Sequence, residues 1–207
     1  MSRTGILCVV SGPSGSGKTT LCRGLSRLEP DQCRYAVSAT TRLPRSGEED
    51  GRDYHFLDED TFRKRVAAGE FVEWARVHGN LYGTLKSEVC RHIEEGRDVL
   101  MDLDVQGGEH VRLATEPWIR EALVDVFILP PSRGELVTRL GKRATESEAE
   151  RDLRLQNALK ELQHWRNYRY TLVSGTPEED LAAFRAILVA ERHRTARLQT
   201  VPAFDAE

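Results

Sequence analysis

A chain of 207 residues that is 39% hydrophobic and 30% charged can bury one full core, which excludes the disordered, fibrous and membrane-spanning classes. A formal net charge of −3 gives no global attraction to nucleic acid, so the 30 basic residues matter only through where they sit. Cys8, Cys22, Cys33 and Cys90 form no C-x-x-C pair and read as buried free thiols, and the first apolar run is too short for a leader or a span, so the expectation is a soluble cytoplasmic protein with no membrane or nucleic-acid partner.

The apolar run Ile6–Val10 predicts a buried strand, and Leu21, Leu25 and Leu28 follow at helical spacing. Between them Gly12-Pro13-Ser14-Gly15-Ser16-Gly17-Lys18-Thr19 matches the phosphate-binding pattern G-x-x-x-x-G-K-[ST], in the required order of strand, loop and helix. Glycines let backbone N–H groups curl around phosphate oxygens, and the helix N-terminus adds its positive end. The segment from Gly12 to Thr20 is therefore assigned to a nucleoside triphosphate, with Lys18 reaching the β/γ-phosphates and Thr19 on Mg²⁺. The alternative, a plain glycine-rich turn, does not account for the flanking strand and helix.

Further β-rich runs fall at Tyr35–Val37, Asp98–Met101, Asp125–Leu129 and Tyr170–Val173, and helical stripes at Leu85/Val89/Ile93, Leu155/Leu159/Leu162 and Leu181/Phe184/Leu188. That alternation predicts an α/β fold with a parallel sheet between helices. Thr176-Pro177-Glu178-Glu179 carries a capping Thr, Pro at the first helical position and Glu three residues after the cap, which opens the last helix. Two polar stretches, about 38–84 and about 130–162, interrupt the alternation and read as insertions over the nucleotide site, leaving a core of about 1–37, 85–129 and 163–194. From about Thr195 the periodicity fades, which predicts a loosely held tail over 195–207.

Chemistry concentrates in a few places. Ser38 to Arg45, continuing to Tyr54, combines Arg42 and Arg45 with hydroxyls and a phenol, a set that suits a phosphate monoester, although composition alone favours a solvated basic loop. Val99-Leu100-Met101-Asp102 is an apolar strand ending in an acid, which puts a carboxylate at the carboxyl edge of a parallel sheet, where Asp102 can orient Mg²⁺ or its waters. Arg139 and Arg143 share a helix face if the segment is helical; Lys142 and Arg151 read as ordinary helix surface. His55, His78, His92, His110, His164 and His193 show no metal-ligand spacing, and Trp74, Trp118 and Trp165 read as packing residues.

Taken together, S-x-T-T-R-x-P-R-x-G-E-x-x-G-x-D-Y after a G-P-S-G-x-G-K-T loop resembles the guanylate kinase family. Phe71-Val72-Glu73-Trp74-Ala75, Tyr82-Gly83-Thr84, Asp102-Leu103-Asp104-Val105-Gln106-Gly107, Pro130-Pro131-Ser132 and Arg139-Leu140-Gly141-Lys142-Arg143 follow in family order, so the resemblance runs from roughly Ile6 to Leu188. It implies a P-loop nucleoside monophosphate kinase with a GMP-binding insertion and a lid, catalysing ATP + GMP ⇌ ADP + GDP with Mg²⁺ and accepting dGMP. It further implies that Glu73 reads guanine, that Ser38 and Thr84 help hold the base, and that Arg42, Arg45, Tyr54 and Tyr82 clamp the monophosphate. Asp104 is by resemblance a monophosphate contact, with helix capping as its alternative. Lys18, Arg42 and the lid arginines Arg139, Arg143 and Arg154 carry catalysis in this reading. The chemistry agrees for Glu73, because one carboxylate accepts from both N1–H and N2–H₂ of guanine, whereas adenine offers an unprotonated N1 and no 2-amino group. Competing readings are a sugar-phosphate kinase of the same fold, which has no use for a guanine reader, and a non-catalytic scaffold, which has no use for Lys18 and the arginines. Many family members carry Asn-Asp near the adenine where this chain has Ser174-Gly175, so the donor contacts there stay open, as does the choice between monomer and homodimer.

Overall fold

The computed structural model describes residues 2–77, 79–141 and 148–200; the readings of His78, Lys142, Arg143 and residues 201–207 lie outside these, as does the side chain of Arg151. In chain order the elements are β1 (Ser2–Arg3), β2 (Leu7–Ser11), α1 (Lys18–Leu28), β3 (Cys33–Tyr35), β4 (Ala39–Thr40), β5 (His55–Phe56), α2 (Glu59–Ala67), β6 (Phe71–Val77), β7 (Asn80–Leu85), α3 (Cys90–Glu94), β8 (Asp98–Asp102), α4 (Val105–Arg112), α5 (Pro117–Ala122), β9 (Leu123–Leu129), α6 (Arg133–Gly141), α7 (Glu148–Glu161), β10 (Tyr170–Val173), α8 (Pro177–Arg192) and β11 (Leu198–Thr200). Among the described residues no helix is long and apolar enough to cross a membrane.

Five parallel strands in the order β10-β9-β2-β8-β3 form the central sheet. All five residues of β2 are buried, as expected when helices cover both faces of a parallel sheet and the strand has no polar side to show. Alternate side chains go opposite ways. Ile6, Cys8 and Val10 pack with Leu21 and Leu25 of α1 and Phe184 and Leu188 of α8, whereas Leu7 and Val9 pack with Ile93, Val111 and Ile119 of α3, α4 and α5. β2 pairs with β8 on one side and β9 on the other, so the chain segments leaving these strands diverge at their carboxyl ends and open a crevice there. Cys8, Cys22 and Cys33 are buried free thiols, as expected; Cys90 is only half-buried.

The polar stretch after β3 builds its own small sheet, in the order β5-β4-β7-β6, around Ala39, Phe62, Phe71, Leu81 and Leu85. Phe62 of α2 stacks on Phe71 of β6 with ring centroids 4.5 Å apart. Gly83 in β7 is required by close approach, because a Cβ there would lie 2.7 Å from the Glu73 carbonyl oxygen and 2.8 Å from the side chains of Phe71 and Trp74. A register shift between Phe71 and Glu73 lets Phe71, Val72 and Glu73 all be buried before normal alternation resumes. Trp74 is consequently 42% exposed, which corrects its reading as a packing residue; Trp118 and Trp165 do pack against core clusters.

Two further expectations are corrected. Leu85 does not open a helical stripe: it ends β7 opposite Phe71, and the helix α3 starts only at Cys90, after a 3₁₀ turn over Lys86–Glu88. Burial in the small core overrides the spacing. The tail is not loose up to Thr200, because β11 pairs antiparallel with β1 (Ser2 opposite Thr200) and Arg197, 4% exposed, donates to the buried Glu191 carboxylate at 3.3 Å. A main-chain ladder and a buried ion pair leave no hydrophobic period to read.

α8 begins as the sequence predicts. Thr176 Oγ1 accepts from the Glu179 N–H at 3.2 Å, and Glu179 Oε2 accepts from the Thr176 N–H at 2.9 Å. Thr176→Ala is expected to lower the unfolding free energy by about 1 kcal/mol, read as a shift in urea midpoint at unchanged m-value.

Candidate active site

At the carboxyl end of β2 the chain turns through Gly12, Gly15 and Gly17, with φ of +150°, +83° and +90°. A Cβ on Gly12 would lie 2.5 Å from the Ile128 carbonyl oxygen, so the loop closes against β9 only with glycine there. α1 then starts at Lys18 without a side-chain cap, which leaves its first N–H groups for an anion. Lys18 Nζ donates to the carbonyls of Gly12 (2.7 Å) and Pro13 (3.1 Å). Burial holds its pKa below the usual lysine value, opposed by the charges of Asp102, Glu161 and Asp104. The Thr19 hydroxyl donates to Asp102 Oδ2, and the Tyr35 hydroxyl donates to Asp102 Oδ1 at 2.5 Å. Strand order explains the meeting, since β8, which ends in Asp102, lies between β2 and β3.

Across from the loop lies a pocket lined by Ser38, Tyr54, Glu73, Tyr82, Asp102 and Asp104, with Tyr35 on its wall. Glu73 is 6% exposed, and its carboxyl is pushed up to about 7, mainly by burial and further by Asp104, against the lowering effect of hydrogen bonds from Thr84. Ser38 Oγ and Thr84 Oγ1 are 3.3 Å apart, so Thr84 belongs to the pocket through its partners. Asp104 caps α4, accepting from the Gly107 N–H at 2.7 Å as its capping reading expects, and it also lines the pocket. Arg42 lies over the rings of Tyr54 (5.3 Å) and Phe56 (5.8 Å) and donates to both oxygens of Glu48, at 2.9 and 3.0 Å. The Arg45 N–H donates to the same carboxylate at 2.7 Å, but the Arg45 side chain is exposed and does not line the pocket.

A second pocket, on the other side of the loop, is lined by Gly15, Ser16, Gly17 and Thr20, by Leu21 and Gly24 of α1, by Arg139, and by the segment Ser174 to Leu181. Arg139 from α6 donates to Glu135 Oε1 at 2.8 Å and to Ser174 Oγ at 3.0 Å. Arg154 from α7 donates to Ser14 Oγ at 3.0 Å, so Arg139 and Arg154 both approach the phosphate loop. Three residues that sequence reasoning passed over belong to this site. Tyr35 buttresses Asp102, Glu48 holds Arg42, and Glu161 at the end of α7 places its charge close enough to Lys18 to act on it. Glu48 sits inside the recognised G-E motif and was legible there; nothing in spacing or composition marks Tyr35 or Glu161.

The fold and this constellation define an α/β phosphate-loop nucleotide-binding protein with one pocket lined by the loop itself and a second that adjoins Asp102, whose carboxylate meets Thr19 just after the loop. The family model described as guanylate kinase matches residues 4–191. The guanylate kinase of Cereibacter sphaeroides is 44% identical over 197 residues, covering 95% of this chain and 92% of that protein. That of Thermotoga maritima is 44% identical over 196 residues, with 94% and 91% covered. Among solved structures, the guanylate kinase of Anaplasma phagocytophilum superposes with a TM-score of 0.77 at 31% identity, covering 98% of this chain and 94% of that one. The chain belongs to the guanylate kinase family.

Proposed function

We propose that this chain transfers the γ-phosphoryl group of ATP to GMP, and to dGMP, giving ADP and the corresponding diphosphate. The single observation that carries the reading is Glu73, a buried carboxylate in the pocket it shares with Ser38, Tyr54, Tyr82 and Asp102, with the Thr84 hydroxyl beside Ser38. A guanine edge offers two N–H donors to one carboxylate, and no other common base matches that acceptor pair as well. Tyr54, Tyr82 and Arg42 hold the monophosphate, with Arg45 closing from the exposed loop and Asp104 on the pocket lining.

No protein base is required. A phosphate monoester is largely dianionic near neutral pH, so its own oxygen attacks the γ-phosphorus as the bond to the β-bridging oxygen breaks and ADP leaves. Lys18, Arg139, Arg143 and Arg154 neutralise the charge that spreads over the transferring group, in a site from which water is excluded on closure. The Thr19 hydroxyl and the Asp102 carboxylate, in contact with each other, offer the hard oxygen donors that suit Mg²⁺, which takes only one or two protein ligands and completes its shell with phosphate oxygens and water. There it would screen the donor phosphates. Residues of about 38–84 act as the GMP-binding part, about 130–162 as the lid and about 1–37, 85–129 and 163–194 as the core. Three buried free thiols suit a reducing compartment, and we assign the chain to the cytoplasm.

The test is Mg²⁺-ATP-dependent ADP formation with GMP, dGMP, AMP, CMP, UMP and a phosphorylated pentose offered separately. Turnover confined to GMP and dGMP is expected. Turnover with the sugar alone would move the chain to a sugar-phosphate kinase, and none with any acceptor would leave a scaffold.

A further inference from the structure

Ser174-Gly175 carries no acid of its own, yet the turn it forms is held by one. Asp180, in the first turn of α8, reaches back so that Oδ1 accepts from the Gly175 N–H at 2.7 Å and Oδ2 from the Ser174 hydroxyl at 2.8 Å. Ser174 is 3% exposed, and the oxygen that gives its proton to Asp180 accepts from Arg139 at 3.0 Å. The polarity of this chain admits one arrangement only. A guanidinium donates and never accepts, an ionised carboxylate accepts and never donates, and the hydroxyl between them has a single proton. Asp180 takes that proton, which turns the serine lone pairs toward Arg139. Glu135 holds Arg139 Nε from α6 at 2.8 Å, so the planar guanidinium is gripped from two sides.

Resting on the proposed ATP-dependent reaction, with the pocket that the phosphate loop lines taken as its donor-nucleotide site, we propose that Asp180 is a positioning residue for phosphoryl transfer: through Ser174 it presets Arg139 beside the phosphate loop. Arg139 and Asp180 line the same pocket as Gly15, Ser16 and Gly17, which puts the preset cation where the donor binds. A guanidinium oriented before substrate arrives has no reorganisation left to perform as charge develops.

Asp180 also satisfies a backbone N–H at the start of α8, so a purely structural role has to be separated from positioning. Asp180→Asn does this. Its one carbonyl oxygen can still accept from Gly175, but its amide then faces Ser174 as a donor, and the serine proton loses its acceptor. We expect kcat to fall about tenfold and KM for ATP to rise several-fold, with KM for GMP and the melting temperature near wild type. Ser174→Ala should give the same pattern, and the double variant should be no worse than either alone, because both changes cut one chain. Calorimetric titration of ADP, with no acceptor present, should show the same several-fold weakening in both variants. That arm is independent of turnover: if the wild type phosphorylates no acceptor, the functional reading fails while weaker ADP binding still supports the relay. ADP affinity and ATP kinetics unchanged in Asp180→Asn, or losses that multiply in the double variant, would overturn the proposal.

Discussion

Glu73→Gln is expected to lower kcat/KM for GMP by roughly 10²–10³-fold, the equivalent of about 3–4 kcal/mol, because it removes one charged acceptor and turns a donor toward a guanine donor in a buried site. The secondary structure by circular dichroism should not change. The pH dependence gives a second, sharper signature. Burial pushes the Glu73 carboxyl up to about 7, so in the free protein it is largely protonated at pH 6 and largely ionised at pH 8. Only the ionised form presents two acceptors, so GMP affinity measured by calorimetry should strengthen as pH rises through this range. The acceptor's own phosphate also titrates near pH 6, which Glu73→Gln isolates, since the variant retains the phosphate effect and loses the rest. Stability should move the opposite way. A carboxyl raised in the folded state above its unfolded value of about 4.3 keeps a proton that the unfolded chain has lost, so its contribution is fully present below that value and is lost as pH rises through about 7. The ligand-free variant is therefore expected to be more stable than wild type at pH 8, by up to about 3 kcal/mol, with the gap closing toward pH 5. Equal GMP turnover and a flat difference in urea midpoints across pH would remove Glu73 as the base reader.

Lys18→Ala is expected to reduce kcat by roughly 10³-fold or more, since under the proposed function it deletes the phosphate-loop cation that neutralises the transferring phosphoryl group. The ammonium is bound to the Gly12 and Pro13 carbonyls, contacts that water can replace in the variant, so only a small loss of folding stability follows. GMP binding should stay within a few-fold of wild type, because Lys18 does not line the pocket that holds Glu73. A variant with turnover near wild type, or one that loses GMP and ADP binding together, would contradict the assignment.

The two predictions sit on residues that were legible for different reasons. Lys18 could be read from local order alone: an apolar run, three glycines and an apolar period place a loop on a helix N-terminus wherever the strand lies in the sheet. Glu73 could not. One carboxylate beside Trp74 on a short strand carries no signal of its own, and it became a candidate only because the surrounding motifs resemble a family. Ser38, Tyr54, Tyr82, Thr84 and Asp104 are similar, scattered along the chain and meaningful only when β4, β6, β7 and α4 bring them to one pocket. Tyr35 was missed because its partner Asp102 lies far away in sequence, and Asp180, though only six residues from Ser174, because no periodicity or motif accompanies a carboxylate reaching back to a turn.

The parallel α/β core, the phosphate loop and the capped start of α8 follow from the amino-acid order alone, because those features depend on residues within a few positions of one another, through strand and helix periods, glycine backbone freedom and Thr–Glu reciprocity. Packing between distant segments decided that Leu85 ends a strand, that Trp74 faces outward and that Thr195 to Thr200 folds back onto β1. Each of those outcomes is set by which distant surface a residue meets, and burial there is worth more than the local preference it overrides.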